Sequence, residues 1–283
     1  MIKIVTDSTS YIPKDDLTKY DIRIASLGVV LNGQTYREVD LSNETFYEEM
    51  AKSPEIPSSS QPSPAELYDT FEKLIKEGHS ILGIFLSSEM SGTYSSAHAT
   101  KQALLEKYPD AKIEIVDSRT NCMQLGFICL AAAKAIEEGA SLEKAVEIAN
   151  YTILHSRFLF TPDTLTYLKK GGRIGNASAL IGTLLQIKPI LTVNQGKTDV
   201  VTKVRTKKKA AETLVSTLLE DLKTEKLGDV IVHHINCPDE GLALAKKIEE
   251  ALDHPVRIQS IGPVIGLHVG PGSIGVAYYT VPK

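Results

Sequence analysis

Short apolar runs alternate with helix-length segments along the first half of the sequence, and nothing else in the chain limits its fold as strongly. IKIVTDS, SILGIFLS and KIEIVDS are strand candidates, and each is followed by a segment long enough for a helix. Parallel strands need crossovers of a dozen residues or more, so this spacing points to βαβ units and an open α/β sheet. Local signals agree. IRIASLGVVL reads as a strand meeting QTYREV across Asn32-Gly33, a dipeptide suited to a tight hairpin. A helix is expected after Ser42. In SSSQPSPAEL, Ser63 is placed at a helix N-cap, Pro64 at the first helical position and Glu66 three residues after the cap. That is a capping box, and the helix should run to about Gly78. SGTYSSAHATKQALLEKY is the next helix, and NCMQLGFICLAAAKAIEEG another, ended by Gly139.

The rhythm changes after about residue 155. SRFLFTP reads as a strand, and DTLTYLKKGGRIG as a helix broken by Gly171-Gly172. ALIGTLLQIKPIL is almost wholly apolar, Gln186 and Lys188 apart. PILTVNQGKTDVVTKV reads as a hairpin around Gln195-Gly196. A basic helix, two further βα alternations and the strand GVAYYTV complete the chain. A length of 283 residues accommodates two domains, with the boundary expected near residue 155.

Composition narrows the function classes. With 42% apolar and 23% charged residues the make-up is that of an ordinary globular protein. A formal charge of −4 gives no general pull toward nucleic acid or an anionic membrane. No apolar run reaches the roughly 18 residues of a spanning helix. MIKIVTDSTS lacks the regions of a signal peptide, so a cytoplasmic location is expected. Cys122, Cys129 and Cys237 are odd in number and lack CxxC spacing, so neither a disulfide framework nor a metal site is expected. GxxxxGK[ST] is absent, and GPGSIG precedes a strand instead of following one, which argues against a dinucleotide fold.

Three stretches could carry chemistry. In ILGIFLSSEMSGTYSSA a strand ends near Ser87 and a helix begins near Ser91-Gly92-Thr93. Ligands of open α/β sheets bind at the carboxyl ends of strands, and a helix N-terminus there suits an anion. Ser91 as a plain helix cap is the competing account. SSSQPS brings Ser58, Ser59 and Ser60, and the following βα unit would set them beside the Ser91 loop. GPVIGLHVGPGSIG holds one histidine, His268, among glycines and prolines. Ser91, Asp117 and His268 stand in the chain order of an α/β-hydrolase triad, but Glu89 occupies the place of the first elbow glycine. His233 and His234 lie on opposite faces of a strand and cannot pair as metal ligands. KVRTKKKAAETL is either a solvated helix face or a docking patch for an acidic partner.

VTDSTS, SSSQPSP, SSEMSGTYSSA, VDS, DTLTYLKKGGRIG, LLQIKPIL, KVRTKKKA and GPVIGLHVGPGSIG, in this order and across the whole chain, resemble the DegV family of bacterial lipid-binding proteins. The resemblance implies a two-domain α/β fold. Residues 1–155 would form a Rossmann-like domain with a mostly parallel sheet, carrying the SQP and SGT loops. Residues 156–283 would form an α/β domain with a mixed sheet, an apolar helix, a basic segment and a Gly-rich histidine loop. It further implies a non-catalytic lipid-binding subunit that holds one long-chain fatty acid in a deep tunnel, with no other cofactor. A separate ATP-dependent kinase subunit would convert the presented carboxylate to acyl phosphate, and transient membrane contact is compatible with that role. By the same resemblance the carboxylate goes to Ser59, Ser91 and His268, with the Gly92 N–H assisting. Arg173, Arg205 and Lys207 match basic positions that dock the kinase subunit. Two positions depart from the family pattern: Ser59 stands where threonine is usual, and Leu267 where a small or polar residue commonly precedes the histidine.

The physics suits such a ligand. Each hydrogen bond to an ionised carboxylate favours it. About fifteen methylenes at roughly 0.8 kcal/mol each supply on the order of 12 kcal/mol before ordering costs. ALIGTLLQIKPIL offers an apolar lining, although an ordinary core segment looks the same. The rival expectation is a small-molecule enzyme. Folds of this type are related to dihydroxyacetone kinase domains, in which a histidine bonds covalently to a carbonyl substrate. His268 would act that way, or Ser91 as an esterase nucleophile.

Overall fold

The computed structural model describes residues 1–182 and 187–283. The chain begins β1 (Ile2–Asp7), α1 (Lys14–Tyr20), β2 (Arg23–Ala25), β3 (Gly28–Leu31), β4 (Gln34–Arg37), α2 (Asn43–Lys52), β5 (Ser58–Ser60) and α3 (Pro64–Lys76). It continues β6 (Ser80–Phe85), α4 (Thr93–Lys107), β7 (Ile113–Asp117), α5 (Cys122–Glu137) and α6 (Leu142–Leu154). Then follow β8 (Ser156–Thr161), α7 (Thr166–Lys170), β9 (Lys188–Asn194), β10 (Lys197–Val204) and α8 (Lys207–Asp221). The last elements are β11 (Lys226–Ile235), α9 (Pro238–Leu252), β12 (Arg257–Ser260), α10 (Pro263–Val269) and β13 (Ser273–Val281).

Three sheets result. The first has the order β2-β1-β6-β7 and is parallel throughout, as the βαβ spacing requires. The second, β4-β3-β5, is a small antiparallel sheet. The third, β10-β9-β8-β13-β11-β12, is mixed, with one parallel pair at its β11–β12 edge. Successive strand residues face opposite sides of a sheet, and β6 shows the consequence. Ile81 and Phe85 pack with Leu67, Phe71 and Leu104 of α3 and α4, while Leu82 and Ile84 turn toward α5 and α6. The third sheet repeats the division: Phe158 and Phe160 face the α5 side, whereas Leu159 faces α8 and α9. The α5 helix, buried over most of its length, is therefore the layer between the two large sheets. Among the described residues no helix is long and apolar enough to cross a membrane.

Four details differ from the sequence expectations. IRIASLGVVL is two strands in two sheets: the Ser26 and Leu27 N–H groups bond to the Glu66 carboxylate and the Ser8 hydroxyl, which interrupts any continuous ladder. The capping box at Ser63 is half formed. Ser63 Oγ accepts the Glu66 N–H at 3.0 Å, but the Glu66 carboxylate turns to Arg37 and the Ser26 N–H. SSS is not a bare loop, since Val29 of β3 pairs with Ser59. The histidine segment is the short helix α10, with Pro263 at its first position. Within ALIGTLLQIKPIL, Ala179 and Leu180 end a 3₁₀ turn and β9 begins at Lys188. The remainder of the apolar helix expected there, residues 183–186, lies outside the described residues. The hairpin turns are as read: Asn32, Gly33, Gln195 and Gly196 all have positive φ.

Candidate functional site

Each candidate side chain is fixed by the element that bears it. Pairing with Val29 sets Ser59 on the small sheet. Ser91 lies one residue before Gly92, the N-cap of α4, so its hydroxyl is not the cap itself. It accepts the Thr93 N–H at 3.3 Å and lies 2.9 Å from the Thr93 hydroxyl. Gly92 is covered by Gln61, whose Oε1 would stand 2.4 Å from a Cβ at that position. His268 comes from α10 and is 9% exposed. These residues meet at a cavity of about 190 Å³. Its polar lining includes Ser59, Gln61, Ser91, Asn121, Arg173, Thr198 and His268, with the Gly92 backbone; Leu27, Leu86, Phe158, Phe160, Val193 and Ile265 are among the apolar residues that line it. Ser59, Arg173 and His268 also border an outer hollow of about 470 Å³, together with Leu267 and Lys170.

The electrostatics of His268 follow from its burial. Burial pushes its pKa down to about 4, and the nearby Arg173 guanidinium adds to the effect. The imidazole is thus neutral at pH 7. Its Nε2 lies 2.8 Å from Ser59 Oγ, and its Nδ1 has no partner among the described residues. Nδ1 faces Gly171, where a Cβ would come within 2.3 Å, so any larger residue at 171 would displace the ring. A buried bare lone pair is less costly than a buried N–H without an acceptor. The proton accordingly belongs on Nε2, which donates to Ser59 Oγ and leaves the Ser59 hydroxyl proton for a second acceptor in the cavity.

The Ser91–Asp117–His268 triad, disfavoured in the sequence by Glu89, does not assemble. Asp117 accepts from the Ser88 N–H, the Ser88 hydroxyl and the Arg119 N–H, and among the described residues no carboxylate reaches His268 Nδ1. An orienting acid on the second ring nitrogen is what that chemistry needs. Of the three basic residues, only Arg173 lines the cavity, with its Nε on the Met90 carbonyl at 3.1 Å. Arg205 is exposed between β10 and α8, and Lys207 is ion-paired to Asp163 and Glu240 at 3.3 and 3.1 Å. His233 is buried and pushed down to about 4; its ring bonds the Gln259 carbonyl and the Met123 N–H, so it serves packing. Among the described residues no group of three or more His, Cys, Asp or Glu side chains could hold a metal ion.

Sequence patterns gave no sign of what mounts α10. Glu38 is buried, and its carboxylate accepts the Ser8 hydroxyl, the Tyr11 hydroxyl at 2.8 Å and the Val264 N–H at 2.8 Å. Tyr11 also accepts the Ile265 N–H, and the Tyr47 hydroxyl donates to the Ile261 carbonyl. The helix that carries His268 is thereby capped by residues more than two hundred positions earlier. Burial pushes the Glu38 carboxyl up to about 7, opposed by its three donors.

Comparison with known proteins gives a consistent picture. The family model described as "Uncharacterised protein, DegV family" matches residues 1–281. A DegV domain-containing protein of Clostridium acetobutylicum is 53% identical over 279 residues, covering 99% of this chain and 98% of its own. A structure described as fatty acid binding of a DegV family protein from Thermus thermophilus superposes with a TM-score of 0.91 at 29% identity, covering 99% of both chains. DegV of Bacillus subtilis, described as a fatty acid binding protein, superposes with a TM-score of 0.89 at 35% identity, again over 99% of both.

Glu38→Ala leaves three buried donors without their acceptor and is expected to cost about 2–4 kcal/mol in urea unfolding. Glu38→Gln keeps an acceptor oxygen and costs less. A carboxyl titrating at about 7 when folded, against a usual 4.5, holds its proton more tightly in the folded chain across that window. Wild type therefore gains stability relative to Glu38→Gln as the pH falls from about 8 to about 5. A difference that stays constant over this range would show that Glu38 does not titrate there.

Proposed function

The chain belongs to the DegV family, and from that premise we propose that it binds one long-chain fatty acid and presents the carboxylate to a separate ATP-dependent kinase subunit. The acyl chain occupies the apolar part of the cavity. The hydroxyls of Ser59 and Ser91 and the start of α4 receive the carboxylate, while His268 orients Ser59. The carboxylate oxygen then takes the γ-phosphoryl group of ATP held by the partner, giving acyl phosphate and ADP. This chain contributes binding and presentation, not the phosphoryl-transfer groups.

One observation carries the reading: two serine hydroxyls and a helix N-terminus line a cavity whose wall also holds Leu27, Leu86, Phe158, Phe160, Val193 and Ile265, with Asn121 and Thr198 as further polar members. An anion with a long apolar tail matches both kinds of lining. Ser59, Arg173 and His268 also border the outer hollow, which supports an exposed carboxylate reachable by a partner. The two-domain division near residue 155 belongs to the same reading, supported by the passage of strands from the first sheet to the third between β7 and β8.

Denaturing protein purified from a bacterial host should release about one fatty acid per chain in mass spectrometry. No released lipid, together with no binding of added palmitate or stearate, would falsify the proposal. Ser91→Ala and His268→Ala should weaken palmitate binding by about tenfold by titration calorimetry, because methylene burial dominates the affinity. A loss of many orders of magnitude from either would overturn that weighting. The double variant Arg173→Ala, Arg205→Ala should keep its lipid and give slower acyl phosphate formation with the kinase subunit; unchanged transfer would remove both residues from coupling.

A further inference from the structure

A second cavity, of about 210 Å³, lies against the third sheet. Its floor is the cross-strand pair of Thr161 in β8 and Ile274 in β13, and its walls are Ala211 of α8 with Ala243 and Leu244 of α9. Ile274 and Leu244 pack in the cluster that contains Leu159, whereas Phe158 and Phe160 line the first cavity. The two cavities therefore lie on opposite faces of one sheet. Alanines at 211 and 243 leave the space between the two helices unfilled. A cavity of roughly 150 Å³ holds a benzene ring, so this one takes a single bulky apolar group.

Its mouth is cationic, in a chain whose net charge is −4. Lys188, Lys207, Lys208 and Lys247 border it against two carboxylates, Asp163 and Glu240. Both acids are engaged: Asp163 Oδ1 lies 2.8 Å from Lys188 Nζ and 3.3 Å from Lys207 Nζ, and Glu240 pairs with Lys207 at 3.1 Å. Lys208 and Lys247 are exposed and pair with no acid among the described residues. A solvated helix face explains the lysines but not the unfilled space; loose packing explains the space but not the lysines around it. The segment from Thr161 to Arg173 links this cavity to the outer hollow. Thr161, Pro162 and Asp163 border the one, and Lys170, Gly171 and Arg173 the other. The five-residue helix α7 between them is only about 8 Å long, so one protein surface can cover both.

We propose that this second cavity is a docking pocket for the phosphorylating subunit, which meets it with an acidic surface carrying one protruding apolar side chain. The inference rests on the proposed function and adds the place and the chemistry of the partner's attachment. A bulky side chain seated in a pocket concentrates binding energy in few residues, and the surrounding charges steer and orient the encounter. Because the pocket lies across the sheet from the carboxylate site, it governs capture of this chain by the partner and not the transfer step.

The test uses the full chain loaded with palmitate as the varied substrate of the kinase subunit at saturating ATP. Ala243→Trp fills the space from an exposed helix position, and the double variant Lys208→Glu, Lys247→Glu reverses the two unpaired cations. Each should raise the KM for the loaded chain by about tenfold with kcat kept within about twofold, and bound palmitate should stay unchanged in mass spectrometry. Raising sodium chloride from about 50 to about 300 mM should raise the wild-type KM and move that of the lysine variant less. An unchanged KM in either folded variant would overturn the inference and leave fatty-acid binding intact, as would a fall in kcat alone. Unchanged KM with lost binding to phosphatidylglycerol vesicles would overturn it too, and give the lysines to a membrane surface. If Ala243→Trp does not fold, the lysine variant decides, since it alters only exposed side chains. Wild type that loads palmitate but is never phosphorylated would remove the kinase reading along with this one, and failure to load would remove the fatty-acid reading.

Discussion

The position of His268 depends on one buried carboxylate. Glu38 sits in the turn after β4, while α10 begins at Pro263, and the hydrogen bond from the Val264 N–H to Glu38 closes that long separation. A buried carboxyl group is tolerated only where hydrogen-bond partners surround it, and Ser8 and Tyr11 supply them. Tyr11 then reaches Ile265, which leaves two N–H groups at the start of α10 satisfied by residues from the N-terminal end of the chain. A seven-residue helix has little stability of its own. Its orientation, and that of the imidazole, is imposed from outside.

The same arrangement explains why the imidazole is neutral. It is packed between Gly171 and Ser59, with Arg173 close by, and both burial and the guanidinium oppose a second proton. A neutral ring with its proton on Nε2 hands a hydrogen bond to Ser59, and Ser59 hands one onward. In the proposed function the carboxylate is therefore met by oriented hydroxyls and the N-terminus of α4, with Arg173 in the same lining as the nearby fixed charge. Such donors fix where a carboxylate sits without enclosing it in an ion pair.

Much of the fold is legible in the sequence because its signals are local. The βα spacing, the turns at Asn32-Gly33 and Gln195-Gly196, and Pro64 after Ser63 each report a geometry within a few residues. The failures share a cause. IRIASLGVVL looks continuous because nothing in it announces that Glu66 and Ser8 will take the N–H groups of Ser26 and Leu27. SSS has the composition of a loop, and only its partner β3 makes it a strand. The βα topology sets Ser59 beside the Ser91 loop, but His268 could be added to them only through family resemblance, since its approach is a tertiary event. Glu38 and Tyr11 carry no motif, and their roles arise from burial that a sequence does not display. Leu267, odd beside the family pattern, is buried and borders the outer hollow next to His268. There it adds apolar surface beside the polar lining.

Met90 joins these threads. It directly precedes Ser91, its carbonyl accepts from Arg173, and its sulfur receives the Asn121 amide. The loop that carries Ser91 is thus gripped from the α7 side and from the α5 side at once. Two further contacts tie the same region to the β9–β10 hairpin: Ser87 Oγ donates to the Gly196 carbonyl, and Arg119 donates to the Gln195 carbonyl. The two guanidinium bonds are charge-assisted and the Asn121–Met90 contact is weak, and each spans two distant stretches of chain. Together they make the Ser91 loop one wall of a cavity whose other walls come from the second half of the sequence. The contacts that place the Ser91 hydroxyl are therefore the same ones that hold the two halves of the chain against each other around the cavity.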